Sequence, residues 1–381
     1  MQCNMDEKTI LKHFEFFADH KMQSEVILQK NAIYQLDQLG IFKGVRTESK
    51  HLLVTDKNLE KLYLRPVLEG IERSGHSVRT LIVPANESSK SFECYAKMIE
   101  KALDYGFDKY SVIFSLGGGV INNLAGFMAA TLYRGIGLIH IPTSLLAQVD
   151  AAIDFKQAIN FSHGKNLIGG YYPASKIVVD PMVLRTLDIR FIRNGLAESI
   201  KHALCQDTEF LKYIVSNSEY LTDLDYLSRI VYRSIELKLE VMSPNVHEDY
   251  DETIKQYGHA IGHAVEHLSE GDIYHGEAIS IGMCVSAEIA MLMGVSDNET
   301  LKLHYDTFTR MGLPTIVPTG YSLSDVWEKI RYDKHFFNGK AYMGLIRTAG
   351  VLSKPNNSNC GYFVEKDMVF EAIENNRHRT V

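Results

Sequence analysis

The sequence predicts an α/β protein in two parts: a first domain built on a mostly parallel sheet, then an α-helical domain. Three observations predict it. Short β-rich runs alternate with helical patterns through the first half, as in strands joined by crossover helices. A run of three glycines, Gly117-Gly118-Gly119, follows directly on the apolar stretch Ser111-Val112-Ile113-Phe114-Ser115-Leu116. After about Leu184, helical periodicity takes over.

In order, strands are expected at Glu25–Leu28, His51–Thr55, Arg79–Val83, Ser111–Leu116, Gly137–Ile141 and Lys176–Val179, where apolar and β-branched residues cluster. Helices are expected between them at Lys57–Ser74, Ser91–Tyr105 and Asn122–Tyr133. The glycines turn a buried strand into a helix. Lacking side chains, they let the backbone pass close to a diphosphate, and the helix N-terminus behind them favours negative charge. The spacing is not G-x-G-x-x-G, and a tight turn with no ligand would look the same. Strand-terminal loops of such a sheet are where a nucleotide sits, so residues 1–184 are read as a nucleotide-binding domain. Residues 185–381 are read as the helical one, with helices at Phe191–Cys205, Asp223–Met242, Gln256–Glu270, Ala278–Met293 and Glu299–Met311. Asn356–Asn359 reads as a loop and Met368–Asn375 as a last short helix.

Composition narrows the function classes. The 381 residues suffice for two domains and a cleft between them. Apolar content of 45% and charged content of 23% are those of an ordinary globular protein. A net charge of −7 without any basic block argues against a nucleic-acid partner. The five cysteines (Cys3, Cys94, Cys205, Cys284, Cys360) are scattered without a CxxC pair, as expected of reduced thiols in a cytoplasmic protein. Met1–Lys21 is charged and amphipathic with no signal-type apolar core, and no apolar run reaches membrane-spanning length.

Four segments carry chemistry. His259, His263 and His267 recur at i, i+4 and i+8, projecting from one side of a helix, and an i, i+4 pair is a common zinc-ligand arrangement. Helical histidines also serve as surface or satisfied core residues, and the H-E-x-x-H protease motif is absent. His275, in His275-Gly276-Glu277, stands at a helix start, either as a cap or pointing into a cleft. Glu198 and Lys201 lie at i, i+3 on one helix face, either as a weak surface ion pair or, since the flanking Leu196, Ala197 and Ile200 point to a largely buried helix, as a buried carboxylate that needs a cation. Finally, Asp150–Asn160 and His163–Gly169 form a polar stretch between apolar runs, whose lysines and asparagines suit an anion such as phosphate or are merely solvated.

Read together, these blocks resemble the sugar phosphate cyclases, the family of 3-dehydroquinate synthase and 2-deoxy-scyllo-inosose synthase. Gly117–Gly126 resembles the family's GGG-x-x-x-(D/N)-x-x-G, and Leu138–Asp150 its strand-PTT-LLA-x-x-D block. Lys156–Gly169 is similar to K-x-x-x-N…GKN-x-x-G, and Leu196–Lys201 to (L/M)-(A/C)-E-x-(I/V)-K. Tyr257–Glu266 with His275-Gly276-Glu277 resembles GH-x-x-GHA-x-E…HGE. The blocks run in register from about residue 50 to about residue 350.

The resemblance implies a dehydroquinate synthase-like fold, a homodimer, tightly held NAD and a divalent metal, zinc or cobalt. By residue match it implies Glu198, His259 and His275 as metal ligands, with His263 a substrate residue instead. NAD contacts would be Asp56, Asn58, Glu87, Lys90, Gly118, Gly119, Val120, Asn123, Thr143, Ser144, Asp150, Lys156, Lys165 and Asn166, then Val183, Leu184, Thr186 and Leu187. Lys156, Asn166 and His263 would hold the leaving phosphate, with Arg134 reaching in from the partner subunit, while Lys201 and Lys238 contact substrate hydroxyls. The implied reaction oxidises a sugar phosphate alcohol, eliminates phosphate, returns the hydride and closes the ring by an aldol step. The phosphate itself would act as the base for elimination.

The chain departs from the dehydroquinate branch where substrate sits. That branch has Arg and Asn shortly before the first Gly-His; here these are Glu252 and Gln256, and an Asp-Lys-Lys is Asp333-Lys334-His335. An arginine suits a keto acid's carboxylate, and Glu252 does not. Lys156-Gln157-Ala158, Tyr171-Tyr172-Pro173, Asn123 and Tyr257 lean towards 2-deoxy-scyllo-inosose synthase, whose substrate, glucose 6-phosphate, has no carboxylate; that branch has Glu at Gln256. Valiolone-type cyclases fit less well because His263 is kept. A metal-dependent alcohol dehydrogenase of the glycerol dehydrogenase type is the rival from another chemical class, and a non-catalytic NAD-binding sensor the third reading.

Overall fold

Each of the six apolar runs becomes a strand of one parallel sheet in the computed structural model, which describes residues 23–162, 164–242, 253–333, 336–355 and 361–379. Met1–Lys21, Cys3, His163, Glu252, Lys334, His335, Asn356–Asn359 and Cys360 lie outside the described residues. The strands are β1 (Glu25–Leu28), β2 (Lys50–Asp56), β3 (Ser77–Val83), β4 (Val112–Gly117) and β5 (Gly137–Pro142). Then come β6 (Lys156–Phe161) and β7 (Gly164–Tyr171), which pair with each other, and β8 (Lys176–Val179). The sheet order is β1-β8-β5-β4-β2-β3. β2 and β4 are buried almost end to end, which is why they read as continuous apolar runs instead of alternating ones.

Strand order reverses between β2 and β4: the chain runs outward to β3, then returns beside β2 and continues the other way. The carboxyl ends of β2 and β4 therefore flank a switch-point crevice, the usual ligand position in such sheets. The helix at that point spans Gly119–Thr131, with Gly118 as its N-cap. It opens three residues before the expected Asn122 because the glycines form its first turn, closed by Asn122 N donating to Gly118 O at 3.0 Å. The expected Lys57–Ser74 helix also differs in detail: a π-turn at Glu60–Leu64 separates Lys57–Leu59 from Arg65–Arg73.

The polar stretch 150–169 is not loop alone. β6 and β7 form an antiparallel hairpin packed against the Gly119–Thr131 helix.

Beyond β8 the chain is mainly helical: Ile189–Gln206, Thr208–Ser216, Leu224–Met242, His259–Leu268, His275–Leu292, Asn298–Arg310, Leu323–Ile330 and Lys366–Arg377. Two expectations need correction. Gln256–Glu270 is interrupted by Gly258, whose φ of 78° no continuing helix adopts. The second domain also carries small sheets, one of Phe336–Phe337, Lys340–Met343 and Tyr362–Val364 and one of Leu345–Thr348 with Val351–Ser353.

The Ile189–Gln206 and His259–Leu268 helices both press on His275–Leu292 through glycine. A Cβ on Gly276 would lie 1.8 Å from Asn194 O, and one on Gly282 2.0 Å from Gly258 O. Cys94, Cys205 and Cys284 are unpaired. Among the described residues no helix is long and apolar enough to cross a membrane.

Candidate metal centre and active site

Three residues far apart in sequence converge. Glu198 sits mid-way along Ile189–Gln206 on its fully buried face, His259 opens the helix that follows Gly258, and His275 opens the next. Glu277 fixes that last start by accepting from Tyr274 N at 2.9 Å. Glu198 Oε1 lies 3.5 Å from His259 Nε2 and 3.6 Å from His275 Nε2. One donor atom from each residue falls within 4.8 Å of the others, the only such set of three or more among the described residues.

The donor set fits a divalent metal. Both Glu198 oxygens are buried without a well-aligned hydrogen bond, their charge balanced by Lys201 Nζ at 2.5 Å. Each histidine has its other nitrogen engaged: His259 Nδ1 with Tyr257 O at 3.0 Å, His275 Nδ1 with Glu266 Oε2 at 3.1 Å. With Nδ1–H donated, a neutral ring at each position would offer its Nε2 lone pair to an ion. Burial favours a neutral Glu198, but Lys201 and the two histidines hold it well below the usual carboxylate range. Burial, with Lys201 nearby, keeps His259 neutral, well below the ordinary histidine range. At His275 burial opposes charge, yet the carboxylates of Glu198 and Glu266 push it up to about 10. A positive charge between two carboxylates is thus what this geometry favours.

The cationic groups cluster around that centre but are already engaged. Lys238, on Leu224–Met242, forms ion pairs with Asp150 and, at 3.4 Å, with Asp154. Burial alone would lower it, but these two carboxylates push it above the ordinary lysine range. Lys156 Nζ lies 3.6 Å from Asp154. Buried Lys90 donates to Asn166 Oδ1, and burial moves its pKa down, against the pull of Glu87 and Glu266. His263 Nδ1 lies 2.9 Å from Asp333 Oδ2, its ring centroid 5.2 Å from His259 and 5.9 Å from His275.

Across the cleft, the glycine turn is held by its neighbours. Asn122, with its amide oriented to satisfy both ends, accepts from Ser115 Oγ and donates to Gly117 O and Gly118 O. Thr143 N donates to Gly117 O at 2.9 Å, and Ser144 Oγ accepts from Ala147 N at 3.2 Å beside Gly118. Asn123 accepts from Ala158 N at 3.2 Å, tying this helix, which begins Gly119-Val120, to the hairpin. Asp56 caps the turn after β2 by accepting from Asn58 N and Leu59 N. Tyr63 Oη donates to Val183 O at 3.0 Å and contacts Thr186 Oγ1 at 2.8 Å, which draws the Val183–Leu187 segment, including Leu184, to that side. Glu87 accepts from Asn160 at 2.8 Å.

Arg134 stands apart. It and Tyr133 have φ of 65° and 51° on an exposed turn, and the Arg134 side chain makes no hydrogen bond or ion pair among the described residues. Residue-level reasoning passed over Glu266, Asp154 and Tyr257 as partners of site groups. For Glu266 the signal was present: it follows His259 by seven residues and so shares its helix face.

Comparison with known proteins shows the family to which the chain belongs. The family profile described as 3-dehydroquinate synthase N-terminal matches residues 80–194, and that described as 3-dehydroquinate synthase C-terminal matches 195–336. The chain is 39% identical over 319 residues to a 3-dehydroquinate synthase of Thermoanaerobacter pseudethanolicus, covering 82% of this chain and 89% of that one. It is 34% identical over 304 residues to a 2-deoxy-scyllo-inosose synthase of Streptomyces paromomycinus, covering 79% and 77%. A crystal structure of 2-deoxy-scyllo-inosose synthase complexed with carbaglucose-6-phosphate, NAD+ and Co2+ superposes with a TM-score of 0.83 at 25% identity, covering 92% of this chain and 96% of that one. The chain therefore belongs to the 3-dehydroquinate synthase family and is a sugar phosphate cyclase of that type.

Proposed function

We propose that this cyclase acts on a sugar phosphate without a carboxylate, converting glucose 6-phosphate to 2-deoxy-scyllo-inosose. The observation that carries the choice is Glu252 and Gln256 in place of the Arg and Asn of the dehydroquinate branch. A keto acid's carboxylate calls for a cation such as the branch's Arg, and a Glu in its place in the sequence supplies the opposite charge.

In this reading Glu198, His259 and His275 hold zinc or cobalt, and the crevice at the ends of β2 and β4 holds NAD. When bound, the ion supplies Lewis acidity towards substrate hydroxyls and the nicotinamide a reversible hydride acceptor. Lys201, held against Glu198, and Lys238, held between Asp150 and Asp154, orient hydroxyls by donating to them. Lys156, Asn166 and His263 receive the leaving phosphate, which takes the proton for its own elimination. Arg134, with no partner in its own chain among the described residues, completes the phosphate site of the other protomer in a homodimer. The domain boundary is placed near residue 184, and the enzyme in the cytoplasm.

The test offers purified protein glucose 6-phosphate and, separately, the seven-carbon keto acid phosphate, following phosphate release. Release from glucose 6-phosphate with no accumulation of NADH is the expected result. Turnover of the keto acid alone would establish the second reading, a divergent 3-dehydroquinate synthase, which the 39% identity to such an enzyme favours. Accumulating NADH would instead mark a dehydrogenase.

A further inference from the structure

The two ligand histidines are held by different means. His259 Nδ1 rests on a main-chain carbonyl two residues away, Tyr257 O, so its orientation is a local property. His275 Nδ1 rests on the side chain of Glu266, and the other Glu266 oxygen accepts from Lys165 Nζ at 2.6 Å. Lys165 belongs to β7 of the hairpin, on the nucleotide side. One largely buried carboxylate therefore touches a candidate metal ligand with one oxygen and the opposite wall of the cleft with the other.

We propose that Glu266 is a positioning residue for His275, and that its bond to Lys165 makes ion binding and hairpin placement depend on each other. The inference rests on the reading of Glu198, His259 and His275 as a metal centre. Physically, an ion at His275 Nε2 fixes the imidazole, hence Glu266, hence the seat for Lys165. By linkage, a hairpin held in that seat must favour the ion equally. A pair that merely stabilised the fold would change the melting temperature and leave both effects untouched.

The experiment measures Zn2+ affinity by chelator competition and hydrogen exchange of amides 164–171 with and without Zn2+. It uses the full chain and the variants Glu266→Ala, Glu266→Gln and Lys165→Met. Wild type should bind one ion and show slower hairpin exchange on binding. Glu266→Ala should lose about 10- to 100-fold in affinity. Glu266→Gln, whose carbonyl still accepts from Nδ1–H, should lose less. Lys165→Met should keep most of the affinity but lose the ion-induced protection of the hairpin. Should Glu266→Ala fail to fold, the other two variants carry the test. Wild-type affinity in folded Glu266→Ala, or unaltered hairpin protection in Lys165→Met, overturns the proposal. A wild-type chain that binds no ion removes the metal centre itself and this inference with it.

Discussion

The two walls of the cleft are built on opposite principles. On the sheet side, the groups around the glycine turn are main-chain amides and carbonyls, held by short polar side chains such as Asn122, Asn123 and Ser144. On the helical side, the centre is a set of charged and imidazole side chains from separate helices, with Glu198 fully buried and balanced by Lys201. The first wall depends on the absence of side chains and tolerates no bulk. The second depends on particular side-chain atoms and tolerates no change of chemistry. Damage confined to the glycine turn should therefore spare the metal-side residues, and the reverse, although Glu266 and Lys165 join the two walls at the hairpin.

The largest expected effect is on the helical wall. Glu198→Gln should abolish turnover and cut metal affinity by more than the roughly 100-fold that loss of an outer partner costs, leaving NAD bound. Activity assays with metal analysis and NAD titration check it; retained activity would mean that the ion is held elsewhere.

Next comes the share of the acid sensitivity that one histidine of the sheet wall contributes. His140 on β5 is fully buried against Ser115 Oγ, and burial pushes its pKa down to about 3. Between that value and its ordinary value near 6.5 the unfolded chain binds the proton and the folded chain does not. The stability it contributes is therefore complete above pH 6.5 and lost as pH falls towards 3, by about 4 kcal/mol at the lower limit. Urea unfolding at pH 7 and 4.5, with EDTA present, should show a larger acid loss for wild type than for His140→Gln; equal losses would refute the assignment.

Gly276→Ala should cost about 3 kcal/mol, because its Cβ would strike Asn194 O with no flexible atom to yield. Calorimetry on the metal-loaded protein measures it. The smallest effect sharpens the comparison most. A valine at Gly118, where even a Cβ would approach Ser144 Oγ to 3.3 Å, should weaken NAD binding about tenfold, or about 1.4 kcal/mol, with Zn2+ affinity unchanged. A parallel fall in both affinities would show that the walls are not independent.

Legibility in the sequence followed the same division. The sheet was readable because its central strands β2 and β4, buried on both faces, are unbroken apolar runs, and the other four lie where apolar and β-branched residues cluster. The hairpin was not, because Gly164, Lys165, Asn166, Gly169 and Gly170 give it neither alternation nor β-propensity; packing of β6 on the glycine helix holds it. Histidine spacing drew attention to His259 with His263, since local periodicity sees only one helix. The structure sets His259 beside Glu198 and His275 instead, a convergence of three helices that no local pattern encodes and that only family resemblance suggested. The small strands after Phe336 were missed for another reason: they are a few residues each, too short for any periodicity to register.

At Gly276 the helix bearing His275 lies directly on the backbone of the helix bearing Glu198. If the proposed ligands hold an ion, the spacing of two of them is set by this main-chain contact, which cannot breathe as a layer of side chains would. Such a seat should discriminate by ionic radius: Zn2+ and Co2+, nearly equal in size, should interchange, whereas Ca2+ should find its longer bonds to oxygen out of reach.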